Sequence, residues 1–201
     1  EAAAIYPPHV RRETDKETGI MTLTTKRLTL RPFEERDAED LYAYAKDPRV
    51  GPVAGWPPHA SLEESREIIR TVFSAPNVFA VVEREHGAVI GSAGFVGRHR
   101  KELPGPDEEL GYALHPDFWG RGLMTEAARE LIRWGFEELG LSTIWCNHYD
   151  GNERSHRVIE KCGFQYQFSQ EEQVELLNEC RLTHFYALSR ADWENRRAVM
   201  L

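Results

Sequence analysis

The chain has little of what marks a membrane-spanning, secreted or metal-bound protein. Its longest unbroken apolar run is Val78 to Val82, far short of the roughly 20 residues that a bilayer-spanning helix needs. No basic start leads into an apolar stretch of the kind that directs secretion. Cysteine is scarce and odd in number: Cys146, Cys162 and Cys180 show no metal-ligand spacing, which argues against a disulfide framework or a bound metal and for a reducing, cytoplasmic home. Positive charge is nowhere concentrated. The formal net charge of −8 is spread over 201 residues without a basic stripe, which disfavours a nucleic-acid backbone as partner and leaves cationic substrates open. Internal repeats and low-complexity tracts are absent too, so a solenoid is excluded.

What remains is enough for one domain. A chain of this length removes roughly 70% of its unfolded surface from water on folding. Residues 1–20 are polar and irregular and are set aside as an N-terminal extension, with Met21 as an alternative start and 21–201 as the domain. "KRLTLRPF" at 26–33 alternates as a half-buried strand does, and "DAEDLYAYA" after it has helical spacing. "SLEE" at 61–64 is a capping box, Ser61 with Glu64, opening a helix to about Ser74 before Ala75-Pro76-Asn77 breaks it. "VFAVVERE" and "AVIGSAGFVG" flank His86-Gly87 as a hairpin, and "EELGYALH" at 108–115 is a further strand beyond the loop "RHRKELPGPD". A helix over 123–139 sets Met124, Ala127, Ala128, Leu131, Ile132 and Leu139 on one face and stops at Gly140. "STIWCNHY" reads as a strand, "NERSHRVIEKC" as a short helix closed by Gly163, and "CRLTHFYALS" as a last strand. The order implies a mixed α/β sheet.

Gly120 and Gly122 flank Arg121 where the strand ending near His115 hands over to the longest helix. The first N–H groups of a helix have no partner inside it, and the aligned peptide dipoles add about half a positive charge there. Removing Cβ atoms at two positions lets the amides of residues 120–125 converge on phosphates, with Arg121 at the rim. The turn lacks the Gly-Lys-Ser/Thr ending of a nucleotide P-loop and the third glycine of a dinucleotide fingerprint. That disfavours the rival reading of a nucleotide-binding protein. A tight turn that binds nothing is the plain alternative.

A second signal lies one strand later, in "NERSHRVIEKCGF" at 152–164. Asn152 is a good N-cap, and Ser155 shares a helical face with Val158, Ile159 and Cys162, which aims its hydroxyl inward. Such a hydroxyl can give a proton to a departing group or simply bond the local backbone.

"TKRLTLRPFEERDAEDL", "ELGYALHPDFWGRGLMTEAARELIRWGF" and "NERSHRVIEKCGF" together resemble the GNAT superfamily of acyl-coenzyme A dependent N-acetyltransferases, in the branch of the ribosomal-protein N-terminal acetyltransferases. The likeness covers about residues 24–190. It implies an α/β (α+β) fold: a mixed, mostly antiparallel sheet of six or seven strands flanked by helices and splayed between the fourth and fifth strands. The family's turn pattern falls on Trp119, Gly120, Arg121, Gly122, Leu123 and Met124, where Met124 stands in place of a small residue, and with Thr125 these would hold the pyrophosphate of acetyl-CoA. The resemblance further implies that the pantetheine arm pairs with backbone groups near Leu114 and Asn147, a form of strand addition, that Asn152 bonds the arm, and that Ser155 sits at the sulfur as general acid. Tyr149 and Tyr166 are rivals for that acid role.

The implied reaction is direct transfer in a ternary complex to an amine, on a protein N-terminus or a small molecule, by a monomer or homodimer. A noncatalytic acyl-CoA binding module of the same fold is the alternative. At pH 7 an α-amine with pKa near 8 is about a tenth neutral, whereas a lysine near 10.4 is well below a tenth of a percent neutral and needs a coupled base. Glu109 is the first candidate base, with Glu108 on the opposite face of the strand, and solvent-facing placement of Glu109 is the alternative. His115 and His148 are further candidates, His115 before Pro116 being better suited to shaping the turn. Cys162 at a helix end and Cys146 in an apolar strand have no activating setting. Arg154, Arg157 and Lys161 suit either a ribose phosphate or a solvated helix face. Trp56 in "GWPPH" is a candidate wall for the acceptor, with a plain surface turn as the alternative.

Overall fold

The computed structural model describes residues 21–199, so the expected extension at 1–20 lies outside the described residues. The strands are β1 (Leu23–Thr24), β2 (Leu28–Arg31), β3 (Val78–Glu83), β4 (Val89–Phe95), β5 (Asp107–Leu114), β6 (Thr143–Tyr149), β7 (Gln165–Val174) and β8 (Glu179–Ser189). The helices are α1 (Ala38–Ala45), α2 (Gly51–Ala54), α3 (Leu62–Thr71), α4 (Leu123–Glu137), α5 (Glu153–Cys162) and α6 (Arg190–Val199). One open sheet runs β1-β2-β3-β4-β5-β6-β8-β7. Every neighbouring pair is antiparallel except β5–β6, which is parallel. A parallel pair needs a long crossover, and α4 supplies it.

Eight strands replace the expected six or seven. The additions are the two-residue β1 and the edge strand β7, whose sequence QYQFSQEEQV has almost no apolar alternation because only Val174 of it is buried. Its order comes from pairing along the length of β8, which sequence periodicity does not report. The short α2 and the terminal α6 were likewise not legible. Helix α3 ends at Thr71, and α4 ends at Glu137 with Leu139 beyond it and exposed, against its expected place on the buried face. At the start of α3 the Ser61 hydroxyl accepts from the Glu64 N–H at 3.1 Å, but the Glu64 carboxylate reaches back to the Ala60 N–H, one residue before the expected arm of the box.

Two cores lie on the two faces of the sheet. On one face Leu28, Leu30, Phe79, Ile90, Leu110 and Ile144 pack under α4, whose Met124, Ala127, Ala128, Leu131 and Ile132 supply the expected apolar stripe, joined by Leu123. On the other, α1 and α3 cover Val78 and Ala113. Gly135 in α4 lets that helix come close, since a Cβ there would stand 2.8 Å from Phe95 Cζ and 3.1 Å from Ile144 Cδ1.

The ladder between β5 and β6 is short. It joins Asp107–Glu109 to Thr143–Trp145 and then stops, so Leu110–Leu114 and Cys146–Tyr149 diverge. This is the expected splay, displaced by one in strand count because β1 precedes the first strand read from the sequence. At its apex the Cys146 thiol donates to the Leu110 carbonyl at 3.4 Å, where a backbone N–H would otherwise continue the ladder.

Candidate active site

The turn into α4 is built for close approach. Gly120 and Gly122 have φ of +73° and +74°, the left-handed region that L side chains rarely adopt. A Cβ at Gly120 would meet nothing within 4 Å, so these glycines answer to backbone conformation and leave open space in front of the amides. The first bond closing the helix is Glu126 N–H to Gly122 O at 3.1 Å, and the N–H groups of Leu123, Met124 and Thr125 precede it. Met124 in the place of a small residue is accommodated because its side chain turns into the core with Leu123. Arg121 points away, with its guanidinium 3.2 Å from Glu83 and over the Phe118 ring.

In front of this turn lies a cavity of about 340 Å³. Of the residues proposed from sequence for the coenzyme, Leu114, Trp119, Gly120, Gly122, Leu123, Met124, Thr125, Asn152 and Ser155 line it, whereas Arg121 and Asn147 do not. Arg154, Arg157 and Lys161 also line it, the Arg154 guanidinium lying 4.2 Å from the centre of a Trp119 ring. The bases of two helices thus meet over one concavity with cations at its rim. A wider groove of about 1,070 Å³ on the far side of α4 shares Gly122, Thr125 and Lys161 with it.

The gap between β5 and β6 offers unladdered backbone. Val96 N–H bonds Glu109 O and His115 N–H bonds Ile90 O, so alternation turns the backbone of Leu110, Tyr112 and Leu114 toward the gap. Asp150 N–H bonds Leu182 O and Arg190 N–H bonds Ser142 O, which by the same alternation turns Asn147 to the gap from β6. The Leu114 carbonyl already accepts from the Trp119 indole N–H at 2.8 Å, which ties the glycine turn to the strand edge.

Ser155 sits on the first turn of α5, where Asn152 Oδ1 accepts from its N–H at 3.2 Å. Its side chain is buried, and the Tyr112 hydroxyl lies 2.9 Å from its Oγ. Tyr112 was not singled out from sequence. The alternation of "ELGYAL" places it on the same face as Leu110 and Leu114, but which element covers that face is a tertiary fact.

Comparison with known proteins fits this geometry. The family model described as an acetyltransferase (GNAT) domain matches residues 27–165, more than half of the chain. The chain belongs to the GNAT acetyltransferase family. An uncharacterised N-acetyltransferase of Bacillus licheniformis, p20, is 32% identical over 149 residues, 72% of this chain and 82% of the relative. The solved GNAT-family acetyltransferase of Bacillus anthracis superposes with a TM-score of 0.71 at 24% identity, over 84% of this chain and 98% of the other. The ribosomal-protein-S5-alanine acetyltransferase of Vibrio fischeri gives 0.69 at 20% identity, over 86% and 98%. At those identities the two structures establish a shared fold.

In this GNAT acetyltransferase the other candidates have partners other than Ser155. Glu109 is fully buried on the opposite face of β5, not solvent-facing, with Arg100 at 3.4 Å and Arg98 at 3.7 Å. The Arg100 guanidinium also stacks 3.9 Å from the Phe185 ring centre. Glu108 points the other way and accepts from the Gly97 N–H at 3.0 Å. Tyr149 is buried with its hydroxyl against Gly55, while Tyr166 is largely exposed on β7 and bonds Ser169. Trp56 is buried beside Gly51 in the core under α1 and α3 and does not line the cavity, whose wall there is Val50, Val53 and Ala54. His115 Nδ1 accepts from the Asp117 N–H and so shapes the turn. His148 stacks on His156 and meets the His184 ring at a tilt, and burial holds it below its ordinary pKa. Burial pushes the Cys162 thiol up to about 12, the opposite of an activated nucleophile.

Proposed function

We propose that this acetyltransferase moves an acetyl group from acetyl-CoA directly to a primary amine in a ternary complex, working as a monomer or homodimer in the cytoplasm. The observation that carries the reading is the meeting of three features at one cavity: amides without helix partners behind two left-handed glycines, unladdered backbone of β5 and β6, and the buried Ser155 hydroxyl. Acetyl-CoA, the family's co-substrate, supplies an activated thioester. The amides of 120–125 hold a diphosphate and Arg154, Arg157 and Lys161 add charge around it. Tyr112, Leu114 and Asn147 offer the gap-facing backbone for an extended arm, and Ser155 holds the proton that a leaving sulfur needs.

The acceptor best suited is an α-amine, such as a protein N-terminus, rather than a lysine. Glu109, the first candidate base, is buried and already paired with two guanidiniums, those of Arg98 and Arg100, on the face of β5 away from Ser155. An α-amine is about a tenth neutral at pH 7 and needs little help from a base. The Vibrio fischeri neighbour, named for acting on an alanine of ribosomal protein S5, is in keeping with this choice.

Thiol release from acetyl-CoA, followed over a panel of peptides with free N-termini, polyamines and aminoglycosides, tests the proposal. Turnover is expected with the peptides. Binding of acetyl-CoA without turnover on any acceptor would favour a noncatalytic module, and a folded sample that gives no heat with acetyl-CoA would overturn the assignment.

A further inference from the structure

A lone serine is a weak acid for the task set for Ser155. The leaving thiol has a pKa of about 8.5 and a tyrosine phenol about 10, while an aliphatic hydroxyl is weaker than either. The structure places the stronger acid beside it. The Tyr112 hydroxyl is 2.9 Å from Ser155 Oγ and 3.3 Å from the Ser155 carbonyl oxygen. The carbonyl can only accept, while the contact with Oγ joins two hydroxyls, either of which can donate, so the phenolic proton lies within reach of Ser155 Oγ. Tyr112 and Ser155 are 7% and 5% exposed, and both line the cavity. Screening by water is therefore weak and the bond between them correspondingly strong.

We propose that Tyr112 positions Ser155 and supplies the proton that Ser155 gives up, so that the two hydroxyls act as a relay. As the acceptor nitrogen bonds the acyl carbon and the carbon–sulfur bond breaks, the sulfur takes the Ser155 proton and Ser155 Oγ takes the Tyr112 proton. The surplus proton of the acceptor nitrogen leaves to water, and the Tyr112 phenolate regains a proton from water. Amine and thioester become amide and thiol with both hydroxyls restored. The negative charge thereby rests on a phenolate instead of an alkoxide. Two elements fix the pair: β5 turns Tyr112 toward α5, and the Asn152 cap sets Ser155 on the first turn of that helix.

The inference rests on Ser155 as the acid, and the test separates the two. The thiol of bound coenzyme A is titrated by thiolate ultraviolet absorbance, with desulfo-coenzyme A as the blank. A donor aimed at the sulfur stabilises the thiolate, so Ser155→Ala and Tyr112→Phe are both expected to raise the bound thiol pKa by about one unit, a tenfold change in thiolate fraction. If Ser155→Ala raises the pKa and Tyr112→Phe does not, the relay is wrong and the acid stands; if neither does, the acid assignment itself fails. The unmodified protein gives an independent measure: turnover in mixtures of light and heavy water is expected to show a curved, two-proton dependence, and a straight line would overturn the relay whatever the variants do.

Discussion

Gly120 and Gly122 show how much a single backbone angle carries. Alanine at Gly120 meets no neighbour, so its stability cost is conformational, about 1–2 kcal/mol for an L residue held at positive φ. The methyl group would stand in the space before the amides. Gly120→Ala is therefore expected to lower acetyl-CoA affinity roughly tenfold, about 1.4 kcal/mol, by calorimetry, and unchanged affinity would place the diphosphate elsewhere. The cysteines make a second residue-scale case. Cys180 is exposed, Cys146 is buried, and Cys162 has its thiol pushed up to about 12 by burial. At about pH 8 only about one in ten thousand Cys162 thiols is ionised, so iodoacetamide should alkylate Cys180 in the folded protein and leave Cys162 until denaturation. Peptide mapping before and after denaturant reads the order. The glycines and the Asn152–Ser155 step were legible in the sequence because they are local patterns. Tyr112 was not, because a tyrosine in a strand looks the same whether it meets a serine or a leucine.

At the scale of elements, α4 combines a legible stripe with a close approach that periodicity cannot show. Replacing a helical glycine by alanine is favourable by about 1 kcal/mol in isolation, whereas overpacking a filled core costs about 1–3 kcal/mol. With Phe95 and Ile144 at 2.8 and 3.1 Å from the new methyl group, the second effect wins. Gly135→Ala is expected to lower stability by about 1 kcal/mol in denaturant unfolding, and a gain would show that α4 can ride outward freely. The contact of α5 with β6 and β8 carries a row of imidazoles, His156, His148 and His184, with Tyr186 donating to His148 Nε2 because His148 Nδ1 donates to the Tyr149 carbonyl. Burial lowers the pKa of His148, and of His59 under α3. As pH falls below the ordinary value of about 6.5, the unfolded chain takes up those protons before the folded one does, so stability is complete above that value and is lost below it. The melting temperature should accordingly be lower at about pH 5.5 than at about pH 7.5, by about 2–4 °C for each kcal/mol lost, and the difference should shrink in His148→Gln.

For the molecule as a whole, binding and folding are linked. A ligand at a hundred times its Kd adds about 2.7 kcal/mol to stability, which for a chain of this size is a rise of roughly 5–10 °C in melting temperature. Acetyl-CoA is expected to give such a rise, and a scan that does not move would count against the coenzyme site. The amino-acid sequence determined whatever depends on neighbours along the chain: the apolar stripe of α4, the alternation of β2, the β-rich runs of β3 to β6, the helix caps, and the glycine turn before α4. It also carried enough of that pattern to identify the family. What only the tertiary structure decided depends on distant partners. Strand β7 exists because β8 lies beside it, Glu109 is paired because the loop after β4 brings Arg98 and Arg100 to it, and Tyr112 meets Ser155 because α5 lies against β5. Local periodicity fixes which face a side chain takes, and packing alone fixes what it meets there.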